Sequence, residues 1–243
     1  MRLRTPLLPA LACVALLAAC KGPPTDPATP APLPAAGAAT PSAPAATPLV
    51  HLAEIDAATL QALGVSAPLK TVHFRDRDGE GLLVLDRIDS QAPDADSGEA
   101  MDVALLTATL YRRADTATPF VERWRSEHRT ECPGLDLEAA YFLDNAEATD
   151  LDGDGVAELT LPSHAFCGGG VDPHQIVIEL RRGDDRYRVE GESLVVIDGE
   201  APFGGERADS PSYAAAPAAF RQHLDTVWRA VHTLPGRESD GGP

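Results

Sequence analysis

The chain opens on an apolar run, crosses a stretch with no periodicity, and then settles into alternating patterns that close on one helical stripe. The run "TPLLPALACVALLAAC" follows Arg2 and Arg4 and ends at Cys20. It is too short for an ordinary membrane-spanning helix and has the form of a signal peptide over residues 1–19. Farther on, Ile55, Leu60 and Leu63 precede Gly64, which predicts a short helix over 54–64. Val72 and Phe74 alternate with polar residues, Asp78-Gly79 supplies a turn, and Leu82–Leu85 returns, so a hairpin is expected. "AMDVALLTATLYRR" (100–113) and "FVERWRSEHRTEC" (120–132) read as strands. In the second, Glu122, Trp124 and Ser126 take one side and Val121, Arg123 and Arg125 the other. Residues 138–143 and 157–162 flank an acidic loop, and 175–182 with 187–192 form a further hairpin around Gly183-Asp184-Asp185. Phe220, Leu224, Val227, Val231 and Leu234 share one face of a helix that starts near Pro217. The expected fold class is α+β: a mainly antiparallel β meander with a C-terminal helix packed on the sheet, forming one globular domain over 49–235. Residues 236–243 read as a flexible tail.

Composition changes the picture first at the N-terminus. Residues 21–48 hold nine prolines and nine alanines, so nothing there can build a core and proline forbids a helix. With Cys20, this stretch (20–48) reads as a disordered tether that could reach roughly 80–90 Å if fully extended at about 3.1 Å per residue. Leu17-Ala18-Ala19-Cys20 resembles the bacterial lipobox, in which the peptide is cut before the cysteine and the cysteine is acylated. The resemblance implies an outer-membrane lipoprotein, held to the membrane through lipidated Cys20 and facing the periplasm or the surface. Lys21 at the next position, by that family's sorting rule, favours the outer membrane. A plain secretory signal with a chance cysteine is the alternative.

Charge narrows the partners. Without Arg2 and Arg4 the chain has 18 basic and 37 acidic residues, a formal charge of −19. Such a surface repels nucleic acid and anionic head groups, so no nucleic-acid partner is expected; it suits cations or basic partners, and simple solubility is the commoner alternative.

Of four cysteines, Cys13 leaves with the signal and Cys20 is the acylation site, which leaves Cys132 and Cys167 in an oxidising compartment. An even pair there reads as a disulfide that closes a loop of about 35 residues. A zinc set of Cys132, His164, Cys167 and His174 is the competing reading, because "HAFCGGGVDPH" brings two histidines near a thiol.

The stretch "TDLDGDGVAELTL" (149–161) carries the sharpest candidate chemistry. A hard cation needs several oxygens at 2.3–2.6 Å, and carboxylates at alternate positions supply them. Asp150, Asp152 and Asp154 take loop positions 1, 3 and 5, Val156 would offer its carbonyl at 7, and Glu158 falls at 9. The segment resembles the Asp-x-Asp-x-Asp-Gly loops of EF-hands, dockerins and integrin-type propeller repeats. Position 12 is Leu161, where an EF-hand needs a bidentate glutamate, and the flanks alternate like strands. A structural calcium bound weakly by Asp150, Asp152, Asp154, Val156 and Glu158 is therefore expected. The alternative is an acidic turn, since Asp and Gly favour turns without any ion.

Three pieces, "HFRDRDGEGLLVL" (73–85), "WRSEHRTEC" (124–132) and "ATDLDGDGVAELTLPSHAFCGGGVDP" (148–173), together resemble a family of bacterial envelope proteins labelled surface polysaccharide biosynthesis proteins. The resemblance implies a link to surface glycans and names no active site. No catalytic residue stands out: Gly-x-Ser-x-Gly, His-Glu-x-x-His and a Walker loop are all missing. The expected function is a lipid-anchored envelope binding or structural module with a calcium-stabilised loop, its partner an envelope protein or a glycan. The alternative is an envelope hydrolase or glycan-modifying enzyme using carboxylates and His174 near the acidic loop.

Overall fold

The computed structural model describes residues 48–235. The signal peptide at 1–19, the acylation site Cys20, the tether up to residue 47 and the tail at 236–243 lie outside the described residues. All described residues belong to one compact unit.

Its first sheet is an antiparallel meander of five strands: β1 (Val50–His51), β2 (Lys70–Asp76), β3 (Gly79–Pro93), β4 (Ala100–Arg113) and β5 (Val121–Cys132). A short helix α1 (Ala57–Ala62) falls between β1 and β2, with Asp56 as its cap accepting from Thr59 N at 2.8 Å. Gly81 sits opposite Phe74, and a Cβ there would meet the Phe74 ring at 2.2 Å, so glycine is what admits the ring. The second sheet holds β6 (Asp136–Tyr141), β7 (Glu147–Thr149), β8 (Glu158–Gly168), β9 (Gln175–Arg182) and β10 (Asp185–Glu192). Then come β11 (Leu194–Val196), β12 (Phe203–Gly204), β13 (Arg207–Asp209), α2 (Pro211–Ala215), α3 (Ala218–Val231) and β14 (Thr233–Pro235). β13 joins the second sheet beside β10, while β12, β11 and β14 form a small third sheet whose β11–β14 pair is parallel.

The two larger sheets pack face to face. Leu83, Leu85, Ala104, Leu106 and Trp124 from the first meet Ala139, Tyr141, Leu159 and Leu161 from the second. A helix covers each outer face. Leu82, Val84 and Phe120 bury Leu60 and Leu63 at α1, and Ile176, Ile178, Leu180 and Val189 bury Phe220, Leu224, Val227 and Trp228 of α3. This layering explains the unbroken run Leu82–Leu85. Alternate residues face the sandwich and α1, so both faces of β3 are dry. The α+β class and the helix packed on a sheet are as the patterning predicts.

Three expectations change. The meander is split into two packed sheets, because each strand can bury only one face against a single neighbouring layer and this chain has apolar residues for more. The last helix ends at Val231, and Leu234 pairs with Val195 in β14. Pro235 disfavours the helical region for the residue before it, which stops the helix short. Finally, β8 runs on through "SHAFCG", past the expected end of the flanking segment at residue 162, so His164 and Cys167 stand on a strand. Pro162 is tolerated inside β8 because its carbonyl accepts from Phe142 N, at the place where the neighbouring strand breaks between β6 and β7. Its missing N–H faces that break.

Cys132 and Cys167 form a disulfide with a Cα–Cα distance of 5.3 Å. It ties the end of β5 to the end of β8, and thus one sheet to the other. The thiolates of the competing zinc set are used up by this bond.

Candidate metal centres

The acidic loop joins β7 to β8. Gly153 (φ 73°) and Gly155 (φ 83°) take left-handed conformations that let the chain double back. Asp150 Oδ2 accepts from Gly155 N at 3.0 Å, Asp152 Oδ1 from Asp154 N at 3.2 Å, and Asp154 Oδ1 from Val156 N at 2.8 Å. Glu158 Oε2 accepts from Leu151 N at 2.7 Å. The β2–β3 turn holds the loop from outside. Arg77 N donates to Gly155 O, Arg77 Nη1 donates to Asp154 O, and buried Asp76 accepts from Ala157 N at 3.0 Å. The turn Asp76–Glu80, which reads as a hairpin alone, is therefore also the loop's clamp.

Asp150, Asp152 and Glu158 converge, each offering an oxygen within 4.8 Å of the others. Two oxygens on opposite sides of a calcium ion lie up to about 5 Å apart, so the spread fits one ion. Glu158 is 0% exposed, and neither its Oε1 nor Asp150 Oδ1 has a hydrogen-bond partner. Burial, opposed by the Leu151 N–H and reinforced by Asp152, pushes the Glu158 carboxyl up to about 7. Asp154 turns elsewhere: it ion-pairs with Arg182 and lies 3.8 Å from Arg77. Burial opposes its ionisation, but the Val156 N–H and Arg182 outweigh burial and hold it below the usual carboxylate range. Val156 itself is buried, its N–H taken by Asp154.

Arg182 is the residue that sequence reasoning missed. Beyond the paired positions Leu159 and Arg181, the register sets it across from Glu158, and its Nε lies 3.4 Å from Glu158 Oε1 and 4.0 Å from Asp152 Oδ2. A built-in guanidinium thus offsets part of the repulsion that four clustered acids would otherwise carry. The signal that could have found it was the hairpin register of β8 on β9.

The second cluster lies farther along β8. His164 Nδ1 and His174 Nδ1 share a hydrogen bond of 3.0 Å, and Glu138 brings a carboxylate oxygen within 4.8 Å of one nitrogen of each ring. Burial, with the His174 ring beside it, pushes the His164 imidazole below its usual value. His164 and Glu158 stand six residues apart on β8, about 20 Å at strand rise, so His174 does not join the acidic loop.

A cavity of about 450 Å³ opens at one end of the sandwich beside Val156 and Ala157. Trp124 and Arg181 line it, the guanidinium 3.8 Å from the centre of the indole ring, with Asp78, Glu122 and Asp184 nearby. His174 is not among its lining residues.

Comparison of the chain with known proteins found no matching family model, no matching curated protein and no matching solved structure.

Proposed function

We propose that this protein is a lipid-anchored module of the bacterial outer membrane whose Asp150–Glu158 loop takes a structural calcium ion. Cys20 anchors the chain, residues 20–48 act as a tether, and the β-rich domain presents itself to an envelope protein or a surface glycan. One observation carries the calcium reading. The carboxylates of Asp150, Asp152 and Glu158 meet within 4.8 Å; buried Asp150 Oδ1 has no hydrogen-bond donor, and Glu158 Oε1 has only the Arg182 guanidinium, 3.4 Å away. Buried oxygens short of donors are costly, and an ion satisfies them together. All donors in the set are oxygens, which suits a hard cation. The link to glycans rests on the sequence pieces at 73–85, 124–132 and 148–173.

Thermal melting of the oxidised full chain tests the reading, in EDTA and across a calcium series, with Asp152→Ala alongside. At ten times the dissociation constant, calcium should add about 1.4 kcal/mol, a rise of roughly 2–4 °C for a domain of this size. The rise should saturate and vanish in Asp152→Ala. No rise up to about 10 mM, beyond the weak end of extracellular calcium sites, would reduce the loop to an acidic turn partly neutralised by Arg182.

A further inference from the structure

We infer that Glu138, His164 and His174 form a second metal site, separate from the acidic loop and built for a borderline divalent ion such as zinc. The ligand types decide the class of ion. Two imidazole nitrogens and one carboxylate oxygen suit zinc, copper or nickel, whereas an all-oxygen set suits calcium. The geometry is close to what zinc requires. Two nitrogens each 2.0–2.1 Å from a tetrahedral ion are about 3.3 Å apart. The two Nδ1 atoms stand at 3.0 Å in a hydrogen bond, so an ion would replace the shared proton, turn both lone pairs toward itself and part the atoms by a few tenths of an ångström.

The cluster is held by rigid parts of the fold. Glu138 stands on β6 opposite Phe166, His164 stands on β8 opposite Ala140 and Ile176, and His174 immediately precedes β9. Neighbouring rings set the imidazole planes: Phe142 lies 4.9 Å from His164, and Phe166 stacks on His174 at 4.6 Å. The backbone of His174 is locked by Ser193, which accepts from His174 N at 2.9 Å and donates its own N–H to His174 O. The disulfide at Cys167 pins β8 three residues beyond His164. His164 is 8% exposed, while Glu138 and His174 are half-buried and give an ion a way in from solvent.

Three protein ligands leave one position of a tetrahedral ion open, the pattern of zinc sites that bind a water or a small ligand as the fourth partner. The two sites would thus divide the divalent ions between them, oxygen donors taking the hard ion and nitrogen donors the softer one.

The test is equilibrium binding of zinc to the chelator-stripped, oxidised full chain, with cobalt(II) as a spectroscopic substitute. One equivalent of zinc is expected to bind at micromolar concentration in the presence of millimolar calcium. His174→Ala should weaken it at least about tenfold, Glu138→Gln should weaken it several-fold, and Asp152→Ala should leave it unchanged. Glu138→Gln keeps the side-chain shape, so it reports on ligation even if His174→Ala melts early. The cobalt form should show visible bands of a four-coordinate nitrogen and oxygen site without thiolate charge transfer. No zinc bound at micromolar concentration would overturn the proposal. So would binding that survives His174→Ala unchanged, or binding lost in Asp152→Ala.

Discussion

Two places on β8, Glu158 at its start and His164 past its middle, each gather potential metal ligands, in opposite ways. At Glu158, the converging carboxylates all come from nine consecutive residues, and the fold adds Arg182 and Arg77 as local counter-charges. At His164, the converging groups come from β6, from β8 and from the residue before β9, and the rings of Phe142 and Phe166 lie against them. A guanidinium sits against Asp152, Asp154 and Glu158 and offsets part of their repulsion, so an ion entering the loop would have to compete with Arg182. The histidine cluster is a product of strand register, and its precision depends on β6, β8 and β9 staying paired within one sheet. On the reading proposed above, local encoding should give a partly neutralised, weaker site, and topological encoding a stiffer one.

Cutting the staple should separate the two sites most strongly. A Cys132→Ser/Cys167→Ser protein loses a cross-link that closes a 35-residue loop, at a cost of about 4 kcal/mol or roughly 8–15 °C in melting midpoint. Zinc binding should weaken with it while calcium binding at the loop persists below the lowered midpoint. Equal loss of both would erase the distinction between local and topological encoding.

Acidity should sharpen the contrast next. The Glu158 carboxyl is raised from an ordinary 4.5 to about 7 by burial. Because the folded value exceeds the unfolded one, this glutamate favours the folded state fully below pH 4.5. That contribution fades as pH rises through 7, by up to about 3 kcal/mol without a bound cation. Urea melts between pH 5 and 8 in chelator should show the decline, and Glu158→Gln should flatten it. Calcium favours the ionised form, so its stabilisation should grow over the same interval. A calcium effect that is level from pH 5 to 8 would remove Glu158 from the ligand set.

The smallest expected effect probes the competition directly. Arg182→Gln should lower stability in EDTA, yet raise calcium affinity by about tenfold, equivalent to about 1.4 kcal/mol, because a cation no longer shares the oxygens of Asp152, Asp154 and Glu158 with a guanidinium. Calorimetric titration of both proteins measures the ratio. Unchanged affinity would mean that Arg182 packs against the loop without contesting the ion.

Much of this fold is legible along the chain. Turn residues mark both hairpins, alternation places Trp124 and Ser126 inside, and the stripe at Phe220, Leu224 and Val227 marks the helix on its sheet. The acidic loop is legible too, because its carboxylates lie within one turn of chain. The length of β8 is not: a proline inside and glycines at its end look like loop residues until the break between β6 and β7 is known to face Pro162. Arg182 and Glu138 are equally hidden, since neither has a distinctive neighbour in sequence.

By itself, then, the sequence determined the periodicities, the turns and which acids share a loop, because these depend on residues within a few positions of one another. Only the tertiary structure decided how the strands divide into two packed sheets. It decided too that Arg182 would stand across from Glu158 and that Glu138 would meet a histidine pair. Those depend on strand register, and register is set by how apolar faces pack across the whole domain, because a shift of one residue would turn every buried side chain outward.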